Sequence, residues 1–211
     1  MITLAVFHSN LALNGASNNL GGKFMDRDSI QAEYYQVLHD TNAAFQKNNW
    51  LLEELDTINS LGSESLVELA CGNGLFLAEA ASHWKVVSGV DWARSPNMTK
   101  VLDSHSNVRF FQADIREWTP DQTYDVVVSA DFLEHLNLKD VKEIIPRFDA
   151  LGKINYHKIA CYDDGHSHLS ILAADVWLSL FRELTGKDYK IIYQVARKGK
   201  EENQVVVISN R

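Results

Sequence analysis

From residue 66 onward the chain repeats one unit: a short apolar run, a break on small or polar residues, then an amphipathic stretch. The apolar runs fall at residues 66–70, 86–90, 107–112, 125–129 and 154–160. Helical spacing follows at 75–82, 96–104, 137–150 and 170–184. Strands that are apolar at nearly every residue are buried on both faces, which requires a parallel sheet with helices on either side. Two final β runs, 189–196 and 204–208, are joined by the charged turn Arg197-Lys198-Gly199-Lys200, and so short a link makes only an antiparallel pair. The expected fold is α/β, a doubly wound, seven-stranded, mostly parallel sheet with a reversed last strand. Ligands of such sheets bind at the carboxyl ends of the strands, near the switch in strand order.

Ahead of this core the pattern differs. Residues 1–28 are rich in Asn and Gly and show no periodicity, as a loose arm would. Helices are expected at 29–38 and 41–58, the second with an apolar stripe through Phe45, Trp50, Leu51, Leu55 and Ile58. The division is therefore 1–60, an arm and helical lid, and 61–211, the core, in one structural domain. A chain of 211 residues with 45% hydrophobic and 23% charged residues has the balance of a globular protein rather than a disordered or fibrous one. Residues 1–22 are too polar to span a membrane, and no Lys or Arg precedes them as in a secretory signal. Two cysteines make no disulfide framework, so a cytoplasmic location is expected. The net charge of −8 disfavours nucleic acid as a partner. A monomer or homodimer with no membrane partner is the expectation.

The stretch Glu68-Leu69-Ala70-Cys71-Gly72-Asn73-Gly74 leaves a strand, turns on small residues and enters a helix. Backbone N–H groups and a helix start then face one pocket, where a ligand can approach the main chain closely. The second strand ends in Asp91, suited to accept from both hydroxyls of a ribose. The third ends in Asp114, suited to accept from an adenine amine. A nicotinamide dinucleotide fingerprint fits poorly, because Leu75 or Leu77 stands where it needs Gly or Ala.

With these residues in place, the chain from residue 66 to its end resembles the class I S-adenosylmethionine-dependent methyltransferases. Glu68-x-Ala70-x-Gly72-x-Gly74 is similar to their acidic-x-Gly-x-Gly-x-Gly signature, with Ala70 for the first glycine. Tyr124-Asp125-Val126-Val127-Val128-Ser129 and Asp131-Phe132-Leu133-Glu134-His135-Leu136 resemble the fourth strand and the segment after it. The resemblance implies S-adenosylmethionine as cofactor, held by Glu68, Ala70, Cys71, Gly72, Gly74, Asp91, Trp92, Asp114, Ile115 and Ala130. It also implies a small-molecule or sugar-like acceptor, methylated on oxygen.

Asp131, Glu134 and His135 would share one face if their segment were helical. Asp131 and His135 are the expected catalytic residues, with His135 a candidate base. No metal is expected. The alternative is a divalent ion held by Asp131, Glu134, His135 and His168, a cluster for which the resemblance offers precedent in RNA 2′-hydroxyl and ubiquinone-pathway O-methyltransferases. Loop residues 161–168 overhang the same pocket, either selecting substrate or forming a turn on Asp163 and Asp164 with Ser167 capping the next helix. Tyr34, Tyr35, Phe45, Asn49 and Trp50 are candidates for a lid that excludes water. Two further readings stand beside small-molecule transfer: a metal-dependent RNA 2′-O-methyltransferase, and a methyltransferase-like binding protein without catalysis. Covalent cytosine chemistry is excluded, since the chain has no Pro-Cys pair.

Overall fold

The computed structural model describes residues 31–120 and 122–211. The Asn- and Gly-rich arm and the first residues of the helix expected at 29 lie outside them. Seven strands form one sheet: β1 (Ser65–Leu69), β2 (Val86–Asp91), β3 (Val108–Gln112), β4 (Tyr124–Ala130), β5 (Gly152–Ala160), β6 (Lys190–Ala196) and β7 (Gln204–Ser209). Their order is β3-β2-β1-β4-β5-β7-β6. Neighbours among β1 to β5 pair in parallel, while β7 is antiparallel to both β5 and β6. The order switches direction between β1 and β4, and the carboxyl ends flanking that switch carry the site.

Strand alternation divides the core into two layers. Leu66, Val126 and Val207 point to one face with Phe76, Leu77 and Met98, from α4 (Leu75–Ala80) and α5 (Pro96–Ser104). Val67, Val127 and Ile208 point to the other, with Ile144, Phe148, Trp177 and Phe181 from α6 (Leu138–Leu151) and α7 (Ala174–Thr185). Adjacent residues of one strand thus serve opposite layers, which is why the strands read as continuous apolar runs.

The helix expected over 41–58 is broken. α2 (Ala43–Lys47), a 3₁₀ turn at Trp50–Glu54 and α3 (Leu55–Asn59) replace it, while the helix expected over 29–38 is α1 (Ala32–Thr41). Asparagines cause the breaks: Asn42 accepts from the N–H groups of Ala44 and Phe45, and Asn49 from that of Leu51. Such side chains offer the backbone an alternative to continuing a helix. Apolar spacing carried across them, so the stripe was right and the continuity was not. The helix expected from 170 starts at Ala174, because the N–H groups of Leu169 and Ser170 donate to the Glu134 carbonyl.

A buried ionic knot docks this N-terminal segment on the sheet. Lys158 of β5, whose side chain is 5% exposed, donates to Glu53 and Glu54 at 2.8 Å each. Glu54 also accepts from the hydroxyls of Tyr156, at 2.7 Å, and Tyr193. Among the described residues no helix is long and apolar enough to cross a membrane.

Candidate active site

Beyond β1 the backbone turns through three left-handed residues, Ala70 (φ 56°), Gly72 (φ 54°) and Gly74 (φ 72°). Asp91, at the end of β2, braces this loop: its carboxylate accepts from Gly72 N and Ala93 N, each at 2.9 Å. Burial raises its pKa to about 6 against the pull of those N–H groups. An open cavity lies beside the loop. Ala70, Gly72, Asp91, Trp92, Asp114 and Ile115 all line it.

Four other residues expected at the cofactor stand behind this wall. Glu68 is 2% exposed, with one oxygen accepting from Asn49 and the other without a partner among the described residues. Burial pushes its pKa well up. Cys71 is packed in the core with Phe76 and Leu77. Gly74 is required by its left-handed backbone (φ 72°), and a Cβ there would also press on the flexible end of Met98 at 2.8 Å. Ala130 ends β4 and packs against the same layer. Asp114 faces the cavity with both oxygens engaged by Arg116, the shortest contact being 2.6 Å. The Arg116 guanidinium also lies over Trp92, 5.5 Å from the ring centroid. Sequence reading missed Arg116, though a basic residue two beyond Asp114 was the available signal.

After β4 the chain does not enter a helix. Asp131 takes a left-handed conformation (φ 52°), and a single 3₁₀ turn spans Leu133–His135. Asp131, Glu134, His135 and His168 nevertheless each bring one ligand atom within 4.8 Å of the others. Glu134 is 0% exposed, and its carboxylate accepts from Phe132 N and Ala160 N, a clamp between this turn and β5. Asp131 and His135 face the cavity. His135 Nδ1 donates to Ser167 O at 3.1 Å and His168 Nδ1 to Tyr162 O at 2.5 Å, as carbonyl oxygens only accept. Both rings consequently turn Nε2 toward Asp131 Oδ1, at 3.8 and 3.9 Å. Burial works against charge on His135, but Asp131 and Glu134 outweigh it and raise its pKa to about 9. Burial lowers that of His168.

His168 owes its place to Asp164, whose Oδ1 accepts from the N–H groups of His166, Ser167 and His168, while Oδ2 accepts from the Ser167 hydroxyl. The turn reading of this loop holds; Ser167 caps the turn rather than the next helix. His166 points outward, with its side chain 64% exposed.

A second cavity of about 710 Å³ adjoins the first, sharing Tyr35, Phe45, Asp131 and His135 as a common wall. α1 and α2 roof both. The Tyr35 hydroxyl and His39 Nδ1 are buried without partners among the described residues, and His39 stands over Gly72. His39 lies one turn beyond Tyr35, which was its only sequence signal. Asn49 and Trp50 serve elsewhere, the first bonding Glu68 and the second stacking under Arg197. The roof is fastened by amides: Asn73 donates to Phe45 O and Asn48 O, and Gln36 exchanges two bonds with the Arg94 backbone.

This geometry agrees with what the chain is similar to. Residues 66–153 match the family model described as a methyltransferase domain. A ubiquinone biosynthesis O-methyltransferase of Rickettsia typhi is 26% identical over 106 residues, covering 48% of this chain and 42% of the relative. The chain spans about half the length of the curated relatives it matches. Among solved structures, the 1,6-didemethyltoxoflavin-N1-methyltransferase of Burkholderia thailandensis, with bound 1,6-didemethyltoxoflavin and S-adenosylhomocysteine, aligns at TM-score 0.67 and 16% identity, over 85% of both chains. The N-methyltransferase NodS of Bradyrhizobium japonicum, in complex with S-adenosylhomocysteine, aligns at 0.62 and 14%, over 85% of this chain and 97% of NodS. These likenesses show the fold, a mostly parallel seven-stranded sheet with the reversed strand expected from the sequence.

Proposed function

We propose that the protein transfers the methyl group of S-adenosylmethionine to a hydroxyl oxygen of a small molecule. The observation carrying this reading is the pair of adjoining cavities, one bounded by the glycine loop and Asp91, the other by Asp131, His135 and His168. The first fits the cofactor: Asp91 uses one lone pair per oxygen on the loop and keeps acceptor capacity for a ribose diol, while Gly72, without a side chain, leaves room for close approach to the main chain. Asp91 would hold the ribose, Trp92 and Ile115 flank the base, and the Asp114–Arg116 pair edge it. The cofactor supplies a methyl on a sulfonium, which leaves by in-line displacement. In the second cavity His168 Nε2 is the free acceptor for a hydroxyl proton, and Asp131 with His135 aligns the oxygen.

The alternative of a divalent cation is favoured by one observation: two imidazoles pinned through Nδ1 to carbonyls, with both Nε2 atoms converging on Asp131. Such pinning is what orients histidine ligands, and Asp131, His135 and His168 fit an ion that would act as a Lewis acid. Glu134 accepts one backbone N–H on each oxygen and keeps a lone pair on each, so it completes a set of four whose ligand atoms lie within 4.8 Å of one another.

Calorimetric titration of the metal-stripped protein with S-adenosylhomocysteine tests the first half. Micromolar binding that weakens at least ~30-fold in Asp91→Ala is expected, from losing hydrogen bonds to a charged acceptor. Absence of binding removes the reading. Repeating the assay of methyl transfer with magnesium or manganese separates the two forms of the second cavity.

A further inference from the structure

The turn between β6 and β7 brings one side chain into the second cavity: Arg197, the single Lys or Arg among its lining residues. The guanidinium is held in place. It lies flat over Trp50, 3.4 Å from the ring centroid, and its Nη1 donates to the Tyr162 hydroxyl at 3.3 Å. The main chain is pinned on both sides, Arg197 N donating to Asn203 O at 2.8 Å and Arg197 O accepting from Lys200 N at 3.0 Å. No carboxylate among the described residues forms an ion pair with it, and its other N–H groups have no partner there. Arginines elsewhere in the site region behave differently: Arg116 is spent on Asp114 and Asp140. The acids sharing the cavity do not compete for Arg197, since Asp164 is filled by its own loop and Asp131 faces the two histidines.

A stacked, oriented guanidinium with open donors is suited to a planar anion. The surroundings say how far that anion stands from the reacting oxygen. The Tyr162 ring reaches from Arg197 to the His168 ring, 5.2 Å between centroids, and His168 in turn is 4.8 Å from His135. One aromatic ring therefore separates the cation from the hydroxyl-handling groups. Tyr34, Tyr35 and Phe45 supply flat walls between them.

We propose that the acceptor is a small aromatic acid, its carboxylate paired with Arg197 and its hydroxyl, at the opposite end of the ring, presented to Asp131 and His168. This rests on the methyl-transfer reading and names the class of acceptor it serves. Arg197 is then the residue that sets specificity.

Ligand-observed NMR titration with 4-hydroxybenzoate, its neutral methyl ester and 4-hydroxybenzylamine tests it, each with and without saturating S-adenosylhomocysteine. The acid should bind the unaltered protein at least ~10-fold more tightly than the ester, and the amine should bind least. Arg197→Gln should bring acid and ester together, and Arg197→Lys should keep part of the difference. S-adenosylhomocysteine affinity should stay the same in both variants, which separates loss of recognition from loss of fold. Equal binding of acid and ester, a preference that persists in Arg197→Gln, or no binding of any probe would overturn the proposal. Failure of S-adenosylhomocysteine to bind would instead strike the methyl-transfer reading, while the titrations without it would still decide the acid preference.

Discussion

Asp91 shows how one carboxylate serves two ends. It braces the loop through Gly72 and presents its remaining acceptor capacity to the cavity, at the expense of a pKa near 6 in the free protein. Ionised Asp91 is the form that accepts from a diol, so affinity for S-adenosylhomocysteine should rise as pH increases through 6 and level off above 7. Calorimetry at pH 5, 6 and 7.5 measures this, and an Asp91→Asn variant should lose the slope. Ala70 is the second instructive residue. The resemblance puts a glycine there, and the structure shows why: φ is 56°, a region unfavourable by roughly 1–2 kcal/mol for a residue with a Cβ. Ala70→Gly should be neutral to stabilising by up to about 1 kcal/mol, once the freer unfolded glycine is counted. Thermal melting reads the difference.

At the scale of elements, the ionic knot predicts a large effect from a small change. Glu54→Ala leaves the Lys158 ammonium buried with only the more exposed Glu53, and should cost about 3 kcal/mol in urea unfolding. The strands were legible because both faces are buried, so every residue had to be apolar, and the reversed pair followed from one short turn. The helical lid was legible in composition and not in continuity, since Asn42 and Asn49 act through local hydrogen bonds that apolar periodicity ignores. The Asp131–His135 segment failed for a related reason. Spacing assumed a helix, whereas a left-handed Asp131 and a 3₁₀ turn bring Asp131, Glu134 and His135 together by another route. Asp91, Asp114 and the glycine loop could be found because they sit at strand ends. Arg116, His39 and Arg197 reach the site through side-chain direction and chain reversal, which one-dimensional spacing does not carry.

For the molecule as a whole, titration behaviour is set by groups far from the site as well as in it. His157, at 0% exposure between Phe148 and Phe181, has its pKa lowered to about 3 by burial. A neutral histidine of this kind contributes stability that is full above pH 6.5 and is lost as pH falls toward 3. Asp164 and Glu54, held below their ordinary values despite burial, act in the same direction at lower pH. Asp91, Glu68 and Glu134 act oppositely, since burial raises their pKa values and protonation then favours the fold as pH falls. His157→Phe should therefore hold its Tm better than the unaltered protein as pH falls from 6.5 to 4, as differential scanning calorimetry would register.

The common wall of the two cavities has a thermodynamic corollary. Tyr35 and Phe45 line both cavities, so an occupant of either one meets the same two rings. Any coupling carried by that shared wall is symmetrical by linkage. Whatever factor S-adenosylhomocysteine adds to the affinity of an acceptor, the acceptor returns to S-adenosylhomocysteine.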